Sequence, residues 1–482
     1  MKKSIQLILI TTTCLILVGC GAAPESGTTL ETEPGQTEST EQGSPKYFEN
    51  IYDVDPDLSP IWEETRKIVG KIFSFPGPFR VAQTPMTNEL PNSTTSPKSE
   101  LLPVKQCKLP MDVASNVTRG FVKPGQQSYE YFKTKMHPAP DTVYQVIGIS
   151  AKDAPALPGQ TPAGDYGHFF DFLKDWTKQS SDVASDVKFR VPDQYIDLGV
   201  KIKPFGVTHG PTTPKEEEFA ARILEAVKPT IDFSGADLVI VVVPAGTDGK
   251  VIEQSGLNFR QSNGPTDMVT VMSPAVTPEN IDSMDNPWFS TPMGWLHELH
   301  HIGFNFEDAQ GDAHPNGRQR NLEGELGTGD WGLMSGSLTD KLGWQKWFSG
   351  FIDDSQVRCV DGQDPTVHWL SPSTVKTSNE KLLVVPISGS EVLVVESQRA
   401  AGLNYKLPQS SEGALVYYVN IAEKRQGYGY TVLGVKGKKI STDPFLLADW
   451  TLKNGESLNF KGVQIEVVES GEFGDVISVS KP

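Results

Sequence analysis

Six consecutive apolar residues, Leu238-Val239-Ile240-Val241-Val242-Val243, constrain the fold of this chain more than any other segment. A strand turns alternate side chains to opposite faces, so a run with no polar alternation needs cover on both sides. Such a strand belongs inside a sheet with helices on its two faces. The flanking pattern supplies them. An apolar run over Thr142 to Ile149 reads as a second strand, and Phe169, Phe170, Phe172, Leu173 and Trp176 recur at helical spacing after it. Glu216 to Val227 reads as another helix and Met268 to Met272 as a shorter strand.

After Pro365 the pattern changes to strands alone: Lys381 to Ile387, Glu391 to Glu396, Ala414 to Asn420, Thr431 to Val435, Val463 to Val468 and Val476 to Val479. Turn residues separate them, which reads as a β-sandwich with its boundary near residues 350 to 365. The expected organisation is therefore α+β: a catalytic domain over residues 141–350 and an all-β sandwich-like domain over 351–482. A region over 46–140 precedes them, either a prosegment or a permanent part of the protein. Within it a helix is expected to open at Ser59-Pro60 and run through Trp62, Ile68 and Val69. No internal repeat stands out.

At the amino terminus Lys2 and Lys3 precede an apolar run from Ile5 to Val18 that ends in Leu17-Val18-Gly19-Cys20. The run is short for a spanning helix and has the form of a signal peptide over residues 1–20. Its end resembles the bacterial lipobox, which implies lipidation at Cys20. Residues 21–45 are rich in Ser, Thr, Gly, Pro and Glu and lack Lys and Arg, the composition of a disordered, solvated tether. An extracytoplasmic protein held at a membrane through a lipid on Cys20, or secreted, is the expectation. A net charge of −17 argues against nucleic acid as a partner.

The chain has four cysteines. Cys14 leaves with the signal and Cys20 takes the lipid, so Cys107 and Cys359 remain. In an oxidising compartment the default for such a pair is a disulfide. The alternative is a latent precursor in which the Cys107 thiolate caps a metal.

The chemistry concentrates in His297-Glu298-Leu299-His300-His301. Thr291-Pro292 marks a helix start, with Ser290 or Thr291 as its cap. Residues four apart share a helix face, so His297 and His301 can offer imidazole nitrogens to one ion, and zinc is the expected cofactor. Glu298 projects beside the ion without binding it, placed as general base for water. His300 points elsewhere and reads as a packing or supporting residue.

The third ligand is less evident from spacing. Counted along the extended pattern H-E-x-x-H-x-x-G-x-x-H/D it falls on Glu307, with Phe304 at the glycine position and Gly303 one place early. Asp308 is the immediate alternative, and His314, Glu323 and Glu325 are further candidates. Calcium is a second candidate cofactor at the acidic loop of Asp308, Asp312 and Asn316, although that spacing fits no standard calcium loop and a solvated turn explains it as well.

Two downstream segments, Gly329-Asp330-Trp331-Gly332-Leu333-Met334-Ser335-Gly336 and Asp340-Lys341-Leu342-Gly343-Trp344, resemble the immune inhibitor A-like secreted zinc metalloproteases. Glu391 to Arg399 and Glu412 to Val419 look like paired strands of the same family. The resemblance implies a metzincin-like domain, a methionine turn in which Met334 forms an apolar floor under the metal, and endopeptidase activity on extracellular proteins or peptides. The chain departs from the family at Phe304 and Glu307. Two other readings stand beside it: a surface adhesion or binding protein on a degenerate protease fold, and a zinc hydrolase of a non-protein amide.

Overall fold

The apolar run becomes the central strand of the first sheet. In the computed structural model, residues 89–97, 101–109, 139–208, 213–257, 269–285, 287–304, 308–309, 327–335, 339–404, 407, 409–423, 427–436 and 447–481 are described. The chain divides into two units, Met1–Ser44 and Pro45–Pro482, and every described residue lies in the second. The expected signal peptide, Cys20, the tether and the Ser59-Pro60 helix fall outside the described residues. Among the described residues no helix is long and apolar enough to cross a membrane.

The first sheet comprises β1 (Val143–Ser150), β2 (Lys188–Arg190), β3 (Ile196–Asp197), β4 (Leu238–Val242), β5 (Ser255–Leu257) and β6 (Val269–Val271). Its order is β2-β1-β4-β6-β5, with β3 also on β1. Pairing is parallel except at the edge, where β5 runs antiparallel to β6. Side chains sort by parity. Tyr144, Val146, Leu238, Ile240 and Val242 join one apolar cluster, and Ile147, Ile149, Val239 and Val241 join another.

Helices cover both clusters. The first takes Phe169, Phe172 and Trp176 of α1 (Pro162–Ser180); the second takes Phe219, Ile223 and Val227 of α2 (Pro214–Val227). Each of these large side chains contributes roughly 1.5–3 kcal/mol when fully buried. Both helices open on threonine caps with proline in the first turn: Thr161 Oγ1 accepts from Gly164 N, and Thr213 and Glu216 form a reciprocal capping box. Trp295, Leu296 and Leu299 of α3 (Pro292–Phe304) join α1 on the first cluster.

Two further sheets follow α4 (Gly343–Phe348). One has the order β12-β11-β10-β9-β7, built from β7 (Val357–Cys359), β9 (Leu382–Ser388), β10 (Glu391–Gln398), β11 (Gly413–Asn420) and β12 (Tyr430–Leu433). The other has the order β13-β14-β15-β8, from β8 (Thr366–Leu370), β13 (Ser457–Phe460), β14 (Val463–Gly471) and β15 (Gly474–Ser480). Leu383, Val385, Leu393, Val395 and Val416 of the first meet Ile465, Val467, Ile477 and Val479 of the second, which makes a sandwich core. The described residues form a mixed α and β fold with three sheets.

The opposite face of the five-stranded sheet explains its unbroken apolar runs. Val384, Val392, Val394, Leu415 and Tyr417 belong to the same cluster as Trp295, Trp331 and Trp344. Residues on both sides of the boundary expected at 350–365 thus share one core. Polar contacts reinforce the junction: Gly343 N donates to Glu396 Oε2 at 2.8 Å and Trp344 N to Tyr417 OH at 3.0 Å. A Cβ at Gly343 would lie 2.4 Å from Glu396 Oε2 and 2.5 Å from Leu382 Cδ2, so a larger residue would displace both side chains.

Burial pushes the Glu396 carboxyl up to about 8, from the ordinary 4.5. Between those values the native state keeps a proton that the unfolded chain has released. The contribution of Glu396 to stability is therefore full below about pH 4.5 and is lost as pH rises through about 8. Glu396→Gln is expected to flatten the decline in stability across this window. Urea unfolding of both proteins at several pH values checks it, and parallel pH profiles would refute it.

Residues 89–97 and 101–109, part of the region whose permanence the sequence left open, bond to the carboxy-terminal sheets. Glu469 Oε1 accepts from Asn92 N at 2.9 Å and its Oε2 from Ser93 N at 2.8 Å. Ser96 N donates to Val367 O, and Leu102 N to Cys359 O. Cys107 and Cys359 form a disulfide with a Cα–Cα distance of 5.7 Å. This removes the alternative in which Cys107 caps a metal as a free thiolate, because both sulfurs are consumed in the bond.

Candidate metal centre

The α3 helix starts where its sequence indicates. Thr291 Oγ1 accepts from Gly294 N at 3.1 Å, the expected cap bond, with Pro292 as the first helical residue. Gly294 permits the tight entry to the helix: a Cβ there would sit 2.2 Å from Trp288 O. With the start anchored, His297 and His301 stand one turn apart, and their Nε2 atoms are 3.0 Å from each other.

A third donor completes the triangle. Asp308 Oδ1 lies 3.2 Å from His297 Nε2 and 3.4 Å from His301 Nε2. Three ligands at zinc's usual bond lengths of about 2.0–2.2 Å in a tetrahedron stand about 3.3–3.6 Å apart. The separations of 3.2 and 3.4 Å are close to this and the 3.0 Å between the imidazoles is shorter, so a small widening accommodates one small cation. Glu307, the position reached by counting, lies outside the described residues, as do Asp312, His314, Asn316, Glu323 and Glu325. Asp308, the alternative, is the described acid that reaches both imidazoles. The α3 helix runs through Gly303 to Phe304 and does not turn at the early glycine, which shifts the register of the approach.

Support comes from a segment more than thirty residues on. Leu333 O lies 2.8 Å from His297 Nδ1, and a carbonyl only accepts, so Nδ1 carries the hydrogen and Nε2 keeps its lone pair for a metal. The next carbonyl, Met334 O, accepts from Ala309 N at 2.6 Å, beside Asp308. This one turn therefore orients one histidine and anchors the loop that brings the carboxylate. Met334 is fully buried, as expected of a supporting residue. Trp331 Nε1, two residues before Leu333, donates to Leu447 O, so the sandwich region braces the same turn.

Electrostatics agree with a cation-binding pocket. Burial opposes a charged His297, yet the Asp308 carboxylate, Glu298 and the Leu333 carbonyl outweigh it and hold its imidazole above the ordinary value. Burial also works against a charged Asp308, but its bonds to the two histidines keep that carboxyl well below the usual range. The donors thus attract positive charge between them. Side-chain exposure rises from 6% at His297 to 37% at Asp308, so the centre opens to solvent on the aspartate side.

Glu298 is buried and accepts a hydrogen bond from Gln254 Nε2 at 2.6 Å. Its carboxylate, with His297 and His301, places donor atoms within 4.8 Å of one another, a group that can hold a metal ion. His300 behaves as the packing residue its position implies: it is fully buried, Nδ1 lies 2.7 Å from Leu296 O, and burial followed by the Lys341 charge holds it well below the ordinary histidine value. Trp288 packs edge-on to His297 with ring centres 5.3 Å apart. Neither Gln254 nor Trp288 carries a sequence signal, since both join the site through contacts distant in the chain or outside the helical period.

No protein-family model matches this chain, and no curated protein matches it at a significant level.

Proposed function

We propose that the protein is a zinc-dependent endopeptidase acting on extracytoplasmic proteins or peptides, held at a membrane surface through Cys20 and the tether over residues 21–45. The observation that carries this reading is the triangle of His297 Nε2, His301 Nε2 and Asp308 Oδ1, with separations of 3.0, 3.2 and 3.4 Å. Two neutral imidazoles and one carboxylate suit zinc. The same donors also suit iron(II), but a buried carboxylate next in sequence to a ligand is what hydrolysis needs. When bound, zinc supplies a Lewis acid that polarises the scissile carbonyl and acidifies water.

The chain's own residues do the rest. Glu298 accepts a proton from the attacking water as its oxygen bonds to the carbonyl carbon. It then returns that proton to the amide nitrogen as the C–N bond breaks, leaving a carboxylic acid and an amine, and the acid's proton passes to the amine or to solvent. His297 and His301 are held by α3, and the Leu333 carbonyl fixes the His297 tautomer. The intact His297, Glu298 and His301 set favours catalysis over an adhesion role on a degenerate fold. The metzincin-like assignment of the domain rests on the methionine-turn segment and the helix motif.

Metal analysis with a peptide-library digest tests the reading. The purified protein is expected to hold about one zinc, lose cleavage on chelation and regain it with zinc. Asp308→Ala is expected to weaken zinc by more than about 100-fold, beyond what supporting residues cost, whereas Glu307→Ala leaves it within about 10-fold. A zinc-loaded protein that cleaves no peptide would sink the peptidase assignment. Zinc unaffected by Asp308→Ala would sink the ligand assignment.

A further inference from the structure

Gln254 has an unusual position for a neutral side chain. It lies immediately before the edge strand β5, is 5% exposed, and its Nε2 donates to Glu298 Oε2 at 2.6 Å. The amide orientation is chemically determined: an ionised carboxylate only accepts, so the NH₂ group must face Glu298. That leaves Oε1 on the other side. Among the described residues this buried oxygen has no hydrogen-bond partner. An orphaned buried acceptor carries a desolvation cost of a size that folded proteins rarely leave unmet, so this oxygen beside the catalytic carboxylate calls for a donor.

Covalent geometry restricts where that donor sits. The oxygen and nitrogen of one carboxamide are about 2.3 Å apart. With the Gln254–Glu298 bond at 2.6 Å, Oε1 lies no farther than about 5 Å from the carboxylate oxygen that Gln254 holds. An N–H that approaches Glu298 from the side Gln254 occupies therefore comes within reach of the Gln254 carbonyl. In peptide hydrolysis Glu298 must meet one such group, the nitrogen of the scissile bond.

We propose that Gln254 is a substrate-contacting residue: its Nε2 orients Glu298 while its Oε1 accepts a hydrogen bond from the scissile amide N–H. The proposal rests on the endopeptidase reading and adds a residue to it. The contact makes the site prefer an amide over an ester of the same sequence, since an ester oxygen carries no hydrogen. It also favours the leaving group in its amine form, which retains N–H donors after the C–N bond breaks. No other described side chain donates to or accepts from the Gln254 amide.

The test separates direct contact from positioning of Glu298. A peptide that the zinc-loaded wild-type protein cleaves is chosen from a library, and its depsipeptide is made with oxygen in place of the scissile N–H. Binding of both to zinc-loaded Glu298→Gln is measured by calorimetry, because that variant keeps an acceptor for Gln254 Nε2 and turns substrate over too slowly to deplete it during the titration. The peptide is expected to bind about 3- to 10-fold tighter than the depsipeptide, the worth of one net hydrogen bond. Adding Gln254→Met should abolish that preference, while Gln254→Glu, which keeps an oxygen acceptor, should retain it. Zinc content and the unfolding midpoint establish that each variant is folded.

The outcomes are distinct. A preference that survives Gln254→Met overturns the contact and leaves the peptidase reading intact. So does equal binding of the two ligands by Glu298→Gln with Gln254 present. A wild-type protein that cleaves no peptide in the library overturns both.

Discussion

Glu298→Gln is expected to lower peptide cleavage by about 10²–10⁴-fold while zinc binding changes little. The substitution conserves shape. It retains a side-chain oxygen that can accept the bond from Gln254 Nε2, now 2.6 Å from Glu298 Oε2, so the buried site keeps its packing. What it removes is basicity, and no described side chain beside the triangle replaces it: His297 and His301 are committed to the cation, and Asp308 bonds to both. The loss should appear in kcat more than in KM, since the proton moves in the transition state and not in substrate binding. Retention of more than about a tenth of the activity in a zinc-loaded variant would remove Glu298 from the role of base.

Removing the disulfide is expected to give the largest stability loss. Cys107 and Cys359 are 252 residues apart, so their bond closes a very long loop in the unfolded chain. The chain-entropy relation puts the corresponding stabilisation at about 5 kcal/mol, and removal of native disulfides costs about 2–5 kcal/mol in practice. The Cys107→Ser, Cys359→Ser double variant should therefore unfold at markedly lower denaturant. Native packing moderates the loss. Cys107 is buried against the five-stranded sheet, and Leu102 N still donates to Cys359 O without the sulfur bond. Chemical unfolding of the variant beside the oxidised wild type measures the effect. A shift of less than about 1 kcal/mol would mean that the contacts of Asn92, Ser93 and Ser96 already hold this segment in place, with the bond adding little.

Much of the fold follows from short-range pattern. The Leu238 to Val243 run requires both faces of its strand to be covered, and the two apolar clusters divide by residue parity along β1 and β4. The starts of α1, α2 and α3 coincide with threonine caps and prolines that are local signals. The strand sequence after Pro365 is also legible in the main, although the short strands β8 and β13 go unread, as does β7 just before Pro365. The expected boundary near 350–365 reflects a real change in periodicity. It does not mark a gap in the core, since one face of the five-stranded sheet shares a cluster with Trp295, Leu296 and Leu299 of α3 and with Trp331, Leu333 and Met334.

The helix motif divides along the same line. That His297 and His301 share a face with Glu298 beside them is a property of 3.6 residues per turn, and the sequence alone determined it. Which acid closes the triangle is not set by the helix period: α3 extends to Phe304, past the early glycine, and among the described residues Asp308 stands at both imidazoles. The Leu333 carbonyl at His297, the Met334 carbonyl at Ala309 and the Gln254 amide at Glu298 come from segments 25 to 44 residues away in the chain. The partner of Cys107 comes from farther still. Periodicity and capping act over a few residues and can be read from them. Convergence of distant segments is decided by packing of the whole core, and only the tertiary structure records it.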